Sequence, residues 1–259
     1  MKHISSRDNP LFKKIKNISS SSRERRLAGK VLLDGAHLIE AYADTFGLPE
    51  LLVVNDGDCA LDVLNLLDRL SDTTIVSFPS SMFAAVSPVA TPTGLLALVD
   101  TPVLLGPEQP QFVLMLENIQ DPGNLGSLLR NAAAAGVELV YLSEGCAEAW
   151  SPKALRGGQG AHFVLPIIER ANLLNVVDNF DGQTFATTLQ GESLYQQDLT
   201  GAVAFMIGNE GAGLSDALLN AASRCVHIPM PGKVESLNAA AAAAVCLFER
   251  VRQTLTLAA

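Results

Sequence analysis

The chain has 259 residues, of which 48% are apolar and 17% charged, and its net charge is −9. That is enough apolar chain for two domains or one large one, and it speaks against global disorder. Four scattered cysteines (Cys59, Cys146, Cys225, Cys246) without a CxxC pair speak against a zinc site or a disulfide framework, and nothing else has metal-ligand spacing. The N-terminus lacks the apolar segment of a signal peptide. The longest charge-free run, Thr73 to Val99, is broken by Pro79, Pro88 and Pro92. A soluble cytoplasmic protein is therefore expected.

Net acidity alone argues against nucleic acid, but the charge is unevenly placed. Nine of the eighteen basic residues (Lys2, Arg7, Lys13, Lys14, Lys16, Arg23, Arg25, Arg26, Lys30) fall in the first thirty positions, against only Asp8 and Glu24. This segment reads either as a phosphate-binding arm or as a solvated, partly disordered terminus. Further along, VLLDGAHLI (31–39) predicts a strand, a turn and a helix start, and LLVV (51–54) a short buried strand. ALDVLNLLDRL (60–70) has the apolar spacing of an amphipathic helix, and TTIVSF and GLLALV are strands. The proline-rich DTPVLLGPEQPQ (100–111) predicts a linker. Longer units follow. FVLMLENI is a strand, GNLGSLLRNAAAAG a helix closed by Gly136, and VELVYLSE a strand. SPKALRGGQG starts another helix with Pro152 in its first turn. FVLPII, TFATTL, AVAFMIG and CVHIPM are strands; ANLLNVVDNF, GLSDALLNAAS and SLNAAAAAAVCLFERVRQTL are helices, the last beginning near Leu237. Alternation of helices with continuous apolar strands predicts a parallel sheet covered on both faces.

Three glycine-bearing turns follow strands in this second half: NIQDPGNLGSLLR (118–130), IGNEGAGLS (207–215) and IPMPGKVESLN (228–238). Ligands of open parallel sheets bind beyond the carboxyl ends of the strands, where such turns converge. No GxxxxGK[ST] is present, so a P-loop is excluded. The glycines of GNEGAG (Gly208, Gly211, Gly213) are misplaced for a dinucleotide fingerprint, and Glu210 opposes a pyrophosphate. A cationic, hydroxyl-bearing ligand without phosphate suits the turn better, and S-adenosylmethionine is one.

The three segments, in this order across about residues 112–254, resemble the signature motifs of the SpoU (TrmH-like) branch of the SPOUT RNA methyltransferases. NPLFKKIKNI, RERRLAGKVLLDGAHLIEAY and TPTGLLALV are similar to the substrate-binding domain attached to many rRNA members. Asp34 stands where the family usually has Glu. The resemblance implies an α/β protein in two parts. Residues 1–101 would form a small ribosomal-protein-like α/β domain that binds RNA, 102–111 a linker, and 112–259 a SPOUT methyltransferase domain with a parallel sheet and a deep trefoil knot. It also implies S-adenosylmethionine as cofactor, a homodimer through the C-terminal domain, no metal, and methylation of a ribose 2′-hydroxyl, with rRNA favoured over tRNA.

Site residues follow from the same resemblance. Arg130 falls where the family places its catalytic arginine; as a guanidinium it suits phosphate or ribose positioning better than base chemistry. Asn124, Glu210, Ser236 and Asn238 complete the implied catalytic set, although Glu210 could equally be a helix-dipole acid, and Ser236 or Asn238 an N-cap. Leu189, Gly208, Asn209, Gly211, Ile228, Met230 and Leu237 would hold the cofactor. Lys13, Lys14, Lys16, Arg23, Arg25, Arg26 and Arg156 would meet RNA. A base nitrogen or tRNA as acceptor, a non-catalytic assembly factor and a plain nucleotide-binding domain are the competing readings. The alanine run after Asn238 implies that other backbone comes close to the last helix.

Overall fold

Phe12, Ile15 and Ile18 recur at helical spacing. In the computed structural model, which describes residues 1–57, 60–87, 89 and 92–257, they are the buried face of α1 (Pro10–Ser20). Asn9 caps this helix by accepting from Leu11 N. α2 (Ser22–Ala28) follows at once, capped by Ser21 and closed by Gly29 in the left-handed region. The expected basic arm is thus corrected to two packed helices. Arg25 is corrected with it. It is only 6% exposed, and its Nη1 donates to Ile18 O at 2.7 Å and Ser19 O at 3.2 Å, satisfying the last carbonyls of α1. A guanidinium committed to those carbonyls has no face left for RNA. Lys13 and Lys14 are exposed but paired with Asp8 and Glu50, while Lys16, Arg23 and Arg26 are exposed.

These helices join a mixed sheet. β1 (Lys2–His3), β2 (Lys30–Asp34), α3 (Ala36–Phe46), β3 (Leu51–Asn55), α4 (Leu61–Arg69), β4 (Ile75–Phe78), α5 (Ser80–Val86) and β5 (Leu95–Asp100) follow in turn. The strand order is β1-β4-β3-β5-β2, with β5 antiparallel to both neighbours and the other pairs parallel. Strand alternation sends Val31 and Leu33 to one face and Leu32 to the other, so two apolar layers form. One layer contains α3 and α4, the other α1 and α5.

Residues 101–111 carry no helix or strand. β6 (Phe112–Leu116), α6 (Pro122–Ala135) and β7 (Leu139–Leu142) begin the second sheet. The next segment, Trp150–Phe163, is part of the first compact unit, together with Met1–Val103. It holds α7 (Pro152–Gly158) and a 3-10 turn, Ala161–Phe163. Leu155 and Phe163 are buried in the layer of Val31, Leu33 and Tyr42, and the Tyr42 and Phe163 rings meet edge-on at 5.7 Å. An unbroken domain over 112–259 is therefore corrected: the chain lends fourteen residues to the first unit because their apolar side chains complete its core. Of the strand expected at FVLPII only β8 (Ile167–Ile168) forms, and Phe163 belongs to the 3-10 turn.

The second unit, Leu104–Ala149 with Val164–Ala259, continues through α8 (Leu173–Asn179), β9 (Gln183–Ser193), β10 (Val203–Ile207), α9 (Asp216–Ala221), β11 (Arg224–His227) and α10 (Ala239–Leu257). Its sheet order is β11-β9-β10-β6-β7-β8, with every pairing parallel. β6 and β10, in the middle, are buried along their whole length. Cys146, Cys225 and Cys246 are free thiols, and Cys59 lies outside the described residues. Among the described residues no helix is long and apolar enough to cross a membrane.

Asp34, at the end of β2, accepts from Thr93 Oγ1 through Oδ1, while its Oδ2 is enclosed without a partner. Burial raises its pKa above 3.8, against the smaller effects of the Thr93 bond and the Arg156 charge. An acid with a raised folded-state pKa favours folding most below its unfolded value and loses that contribution as pH rises through the folded value. Asp34→Asn keeps an acceptor for Thr93 and cannot ionise. It should raise the urea midpoint at neutral pH, with the gain fading toward about pH 4.

Candidate active site

α6 starts where β6 has just ended. Asp121 caps it by accepting Asn124 N at 2.8 Å, with Pro122 in the first turn. Asn124 thereby stands on the first turn with its side chain free to reach outward. Its Nδ2 donates to Glu210 Oε1 at 2.7 Å, and its Oδ1 accepts from Asn238 Nδ2 at 3.2 Å. Asn238 Oδ1 in turn accepts from Ala240 N at 2.9 Å and Ala241 N at 3.4 Å, capping α10. The polarity of this chain is forced. Backbone N–H groups only donate, so Asn238 must present its oxygen to α10 and its NH2 to Asn124; Asn124 then has only its NH2 for the carboxylate. One oxygen of Glu210 is committed, and the three strand-end turns are joined.

The middle turn is held by its own backbone and by Asn209. Asn209 and Gly213 exchange backbone hydrogen bonds at 3.0 and 2.9 Å. Asn209 Oδ1 accepts from Gly211 N and Ala212 N, and its Nδ2 donates to Asn118 O at 2.8 Å. Gly208 is required by space: a Cβ there would lie 2.2–2.4 Å from the backbone of Gly213 and Leu214. Asn209 therefore organises the loop, and Gly208 lets it fold back.

A cavity of about 780 Å³ opens between these turns, within the range of small-molecule sites. It is lined by Asn124, Leu189, Gly208, Asn209, Glu210, Gly211, Ile228, Met230, Ser236, Leu237 and Asn238. Arg130 is the one expected catalytic residue that does not line it; it lies exposed on α6. Leu189 is 65% exposed and Leu237 39%, leaving apolar surface at the wall for a flat ring to cover. Glu235 joins Glu210 there, and no lysine or arginine lines the cavity among the described residues. A phosphate-rich ligand does not fit such a site; a cationic, hydroxyl-bearing one does. No group of residues that could hold a metal ion occurs among the described residues. Arg156 is exposed on α7 in the first unit, with Lys13, Lys14, Lys16, Arg23 and Arg26 exposed on α1 and α2 of that same unit.

Three further residues shape the site. Glu117 Oε2 accepts Ser215 N at 2.7 Å, tying the end of β6 to the turn before α9. Asn118, at φ 54°, takes the left-handed turn that brings its carbonyl to Asn209. Asn131 Nδ2 donates to Ala240 O at 2.9 Å and clamps α6 to α10. Asn131 lies two helical turns beyond Asn124, so that spacing was a readable signal that the two asparagines share a face. Against that face Ala239, Ala240 and Ala243 are buried. The side-chain-poor helix start is what lets α6 lie so close.

A six-stranded parallel sheet whose turns gather around one cavity at the carboxyl ends of its central strands defines an α/β protein with a ligand site in the usual place for that class. Comparison with known proteins narrows the class. Residues 111–248 match the SpoU rRNA Methylase family, and the chain belongs to it. It is 32% identical over 256 residues to the 23S rRNA (guanosine(2553)-2′-O)-methyltransferase RlmP of Bacillus subtilis, covering 96% of this chain and 98% of that one. Among solved structures it resembles an RNA 2′-O ribose methyltransferase (29% identity, TM-score 0.85, 98% and 99% covered). It also resembles the SpoU methyltransferase AviRb from Streptomyces viridochromogenes in complex with AdoMet (26% identity, TM-score 0.85, 96% and 99% covered).

The space argument at Gly208 can be measured. Gly208→Ala should lower stability by about 1–3 kcal/mol, the usual cost of forcing atoms into packed space. Gly211→Ala, whose Cβ would meet only Asn209 Oδ1 at 3.5 Å, should stay within about 0.5 kcal/mol. Urea unfolding of the two variants checks the contrast.

Proposed function

We propose that the chain is an S-adenosylmethionine-dependent RNA methyltransferase that acts on a ribose 2′-hydroxyl of rRNA. The observation that carries this reading is the Asn238–Asn124–Glu210 chain at the wall of an acidic cavity formed by the three family motifs. The naming of the similar proteins as rRNA and RNA 2′-O-methyltransferases supports the substrate class. Bound there, S-adenosylmethionine would supply an electrophilic methyl group on a sulfonium. Leu189, Ile228, Met230, Leu237 and the backbone of Gly208, all at the cavity wall, would hold its adenine. Among the described residues Glu210 accepts only through Oε1, from Asn124, whose amide is oriented by Asn238; its other oxygen can accept from a ribose hydroxyl. Ser236 stands beside Asn238 as a second polar contact for the acceptor ribose. Arg130, exposed outside the cavity, is assigned to an incoming phosphate, where a planar permanent cation is most useful.

The trefoil knot belongs to the same reading. β11 is at the edge of the sheet, yet α10 lies against α6, with Arg250 stacked 4.2 Å over Phe112 at the start of β6. Residues 228–238 make that return while sharing the cavity wall with 187–189 and 207–214. A threaded return is consistent with both facts. The homodimer is supported by the outer face of α10, where Phe248 is 45% and Leu255 64% exposed.

Mapping 2′-O-methyl sites in rRNA from cells with and without the gene tests the reading directly; identical maps would overturn it. Arg130→Ala should reduce methyl transfer by about 10²-fold or more while leaving the unfolding midpoint unchanged, as expected for an exposed side chain.

RNA contact is assigned to Lys16, Arg23, Arg26 and Arg156, with Lys13 and Lys14 contributing once released from their carboxylates. Each of Lys16, Arg23 and Arg26 changed to Ala should flatten the salt dependence of RNA binding by about one ion. Arg25→Ala should leave that slope intact and instead lower stability by about 1.5–3 kcal/mol, through loss of charge-assisted bonds to α1. Filter binding across a salt series and urea unfolding separate the two outcomes.

A further inference from the structure

Two carboxylates line the cavity, Glu210 and Glu235, and they are not equivalent. Glu210 is bound to Asn124 through Oε1 and belongs to the chain of amides. Glu235 is exposed, sits next to Ser236 on the segment entering α10, and forms another part of the wall. The other titratable residue of the lining is His227, whose Nδ1 lies 3.0 and 3.1 Å from the carbonyls of Gly191 and Glu192 and so is held by β9. The positive end of the α10 dipole opens toward the same place, but Asn238 Oδ1 already covers its Ala240 and Ala241 N–H groups. Lys233, two residues from Glu235, is not part of the lining. The wall therefore carries formal negative charge with no lysine or arginine in it among the described residues.

This inference rests on the cofactor reading above. S-adenosylmethionine and the demethylated by-product share adenine, ribose and an amino-acid end. They differ by one methyl group and one positive charge: the sulfonium becomes a neutral thioether. Apolar walls and backbone hydrogen bonds grip both alike, so they cannot separate them. Charge can. We infer that Glu235 is a specificity-determining residue, a carboxylate that makes the cavity prefer the cationic sulfonium form over the neutral by-product. Its attraction acts through partly solvated surroundings, so its effect is modest and falls with salt. A modest preference is useful because the by-product, made on the enzyme, would otherwise occupy the site as firmly as the cofactor it replaces.

The test is calorimetric binding of S-adenosylmethionine and of S-adenosylhomocysteine to the full chain and to Glu235→Gln. The variant should bind S-adenosylmethionine about three- to fivefold more weakly, the effect expected of a partly exposed charge. It should bind S-adenosylhomocysteine within about twofold of the unaltered chain, which also shows that the cavity is intact. Glu235→Asp should restore most of the preference, and raising the salt should weaken S-adenosylmethionine binding to the unaltered chain more than to Glu235→Gln. Equal changes for both ligands, or none for either, would overturn the inference and leave the cofactor reading standing. Failure of the unaltered chain to bind either ligand would instead overturn the cofactor reading, and this inference with it.

Discussion

The hydrogen-bond chain from the first turn of α10 through Asn238 and Asn124 to Glu210 is the constraint on which the site depends. Its three members come from turns more than a hundred residues apart at the extremes, and each amide can point only one way once the backbone of α10 has claimed Asn238 Oδ1. A capping bond that would be worth about 1 kcal/mol by itself here also fixes which end of the Asn124 amide faces Glu210. In the proposed reading, N-capping by Asn238 and its place in the site belong to the same side chain.

That contact is possible only because bulk is absent around it. Ala239, Ala240 and Ala243 let α10 settle against α6, and Gly208 lets the Gly213–Leu214 backbone fold back over the end of β10. Asn131 and Asn209 then bind the approaching backbones. Close-packed backbone leaves little room for adjustment, so the polar side chains are positioned by rigid elements rather than by a flexible loop. The same logic explains Trp150–Phe163 in the first unit: a layer that needs Leu155 and Phe163 to be complete takes them from wherever in the chain they lie.

Much of this was legible in the sequence, and for physical reasons. The strands β6 and β10 are unbroken apolar runs, the helices α6 and α10 carry their caps in plain view, and the three turns are punctuated by glycine and asparagine. What was not legible had competing signals. In α1 the charges mask a regular Phe12–Ile15–Ile18 spacing, so the basic segment reads as an arm. Arg25 looked like its neighbours, since only the packing of α2 on α1 reveals that its guanidinium faces carbonyls. α5 has no clear sequence signal, because Ser80–Val86 is short and lies between Pro79 and Pro88. Glu117 and Asn118 act through tertiary bonds, and no local pattern announces such bonds.

Charge placement gives the molecule its remaining logic. Half of the basic side chains sit in the first thirty residues of a net-acidic chain; Lys13, Lys14 and Lys16 on α1 and Arg23 and Arg26 on α2 are exposed, while Arg25 is buried. The cavity has the opposite character. RNA is a polyanion, so Glu210 and Glu235 oppose entry of its phosphates, whereas a ribose hydroxyl can still approach the uncommitted oxygen of Glu210 as a donor. Exposed charges act only over about 8–10 Å at ordinary salt, so the cavity's carboxylates act on what enters the cavity. In the proposed reading, an acidic site that discriminates among small ligands does not cancel an affinity of the basic helices for RNA.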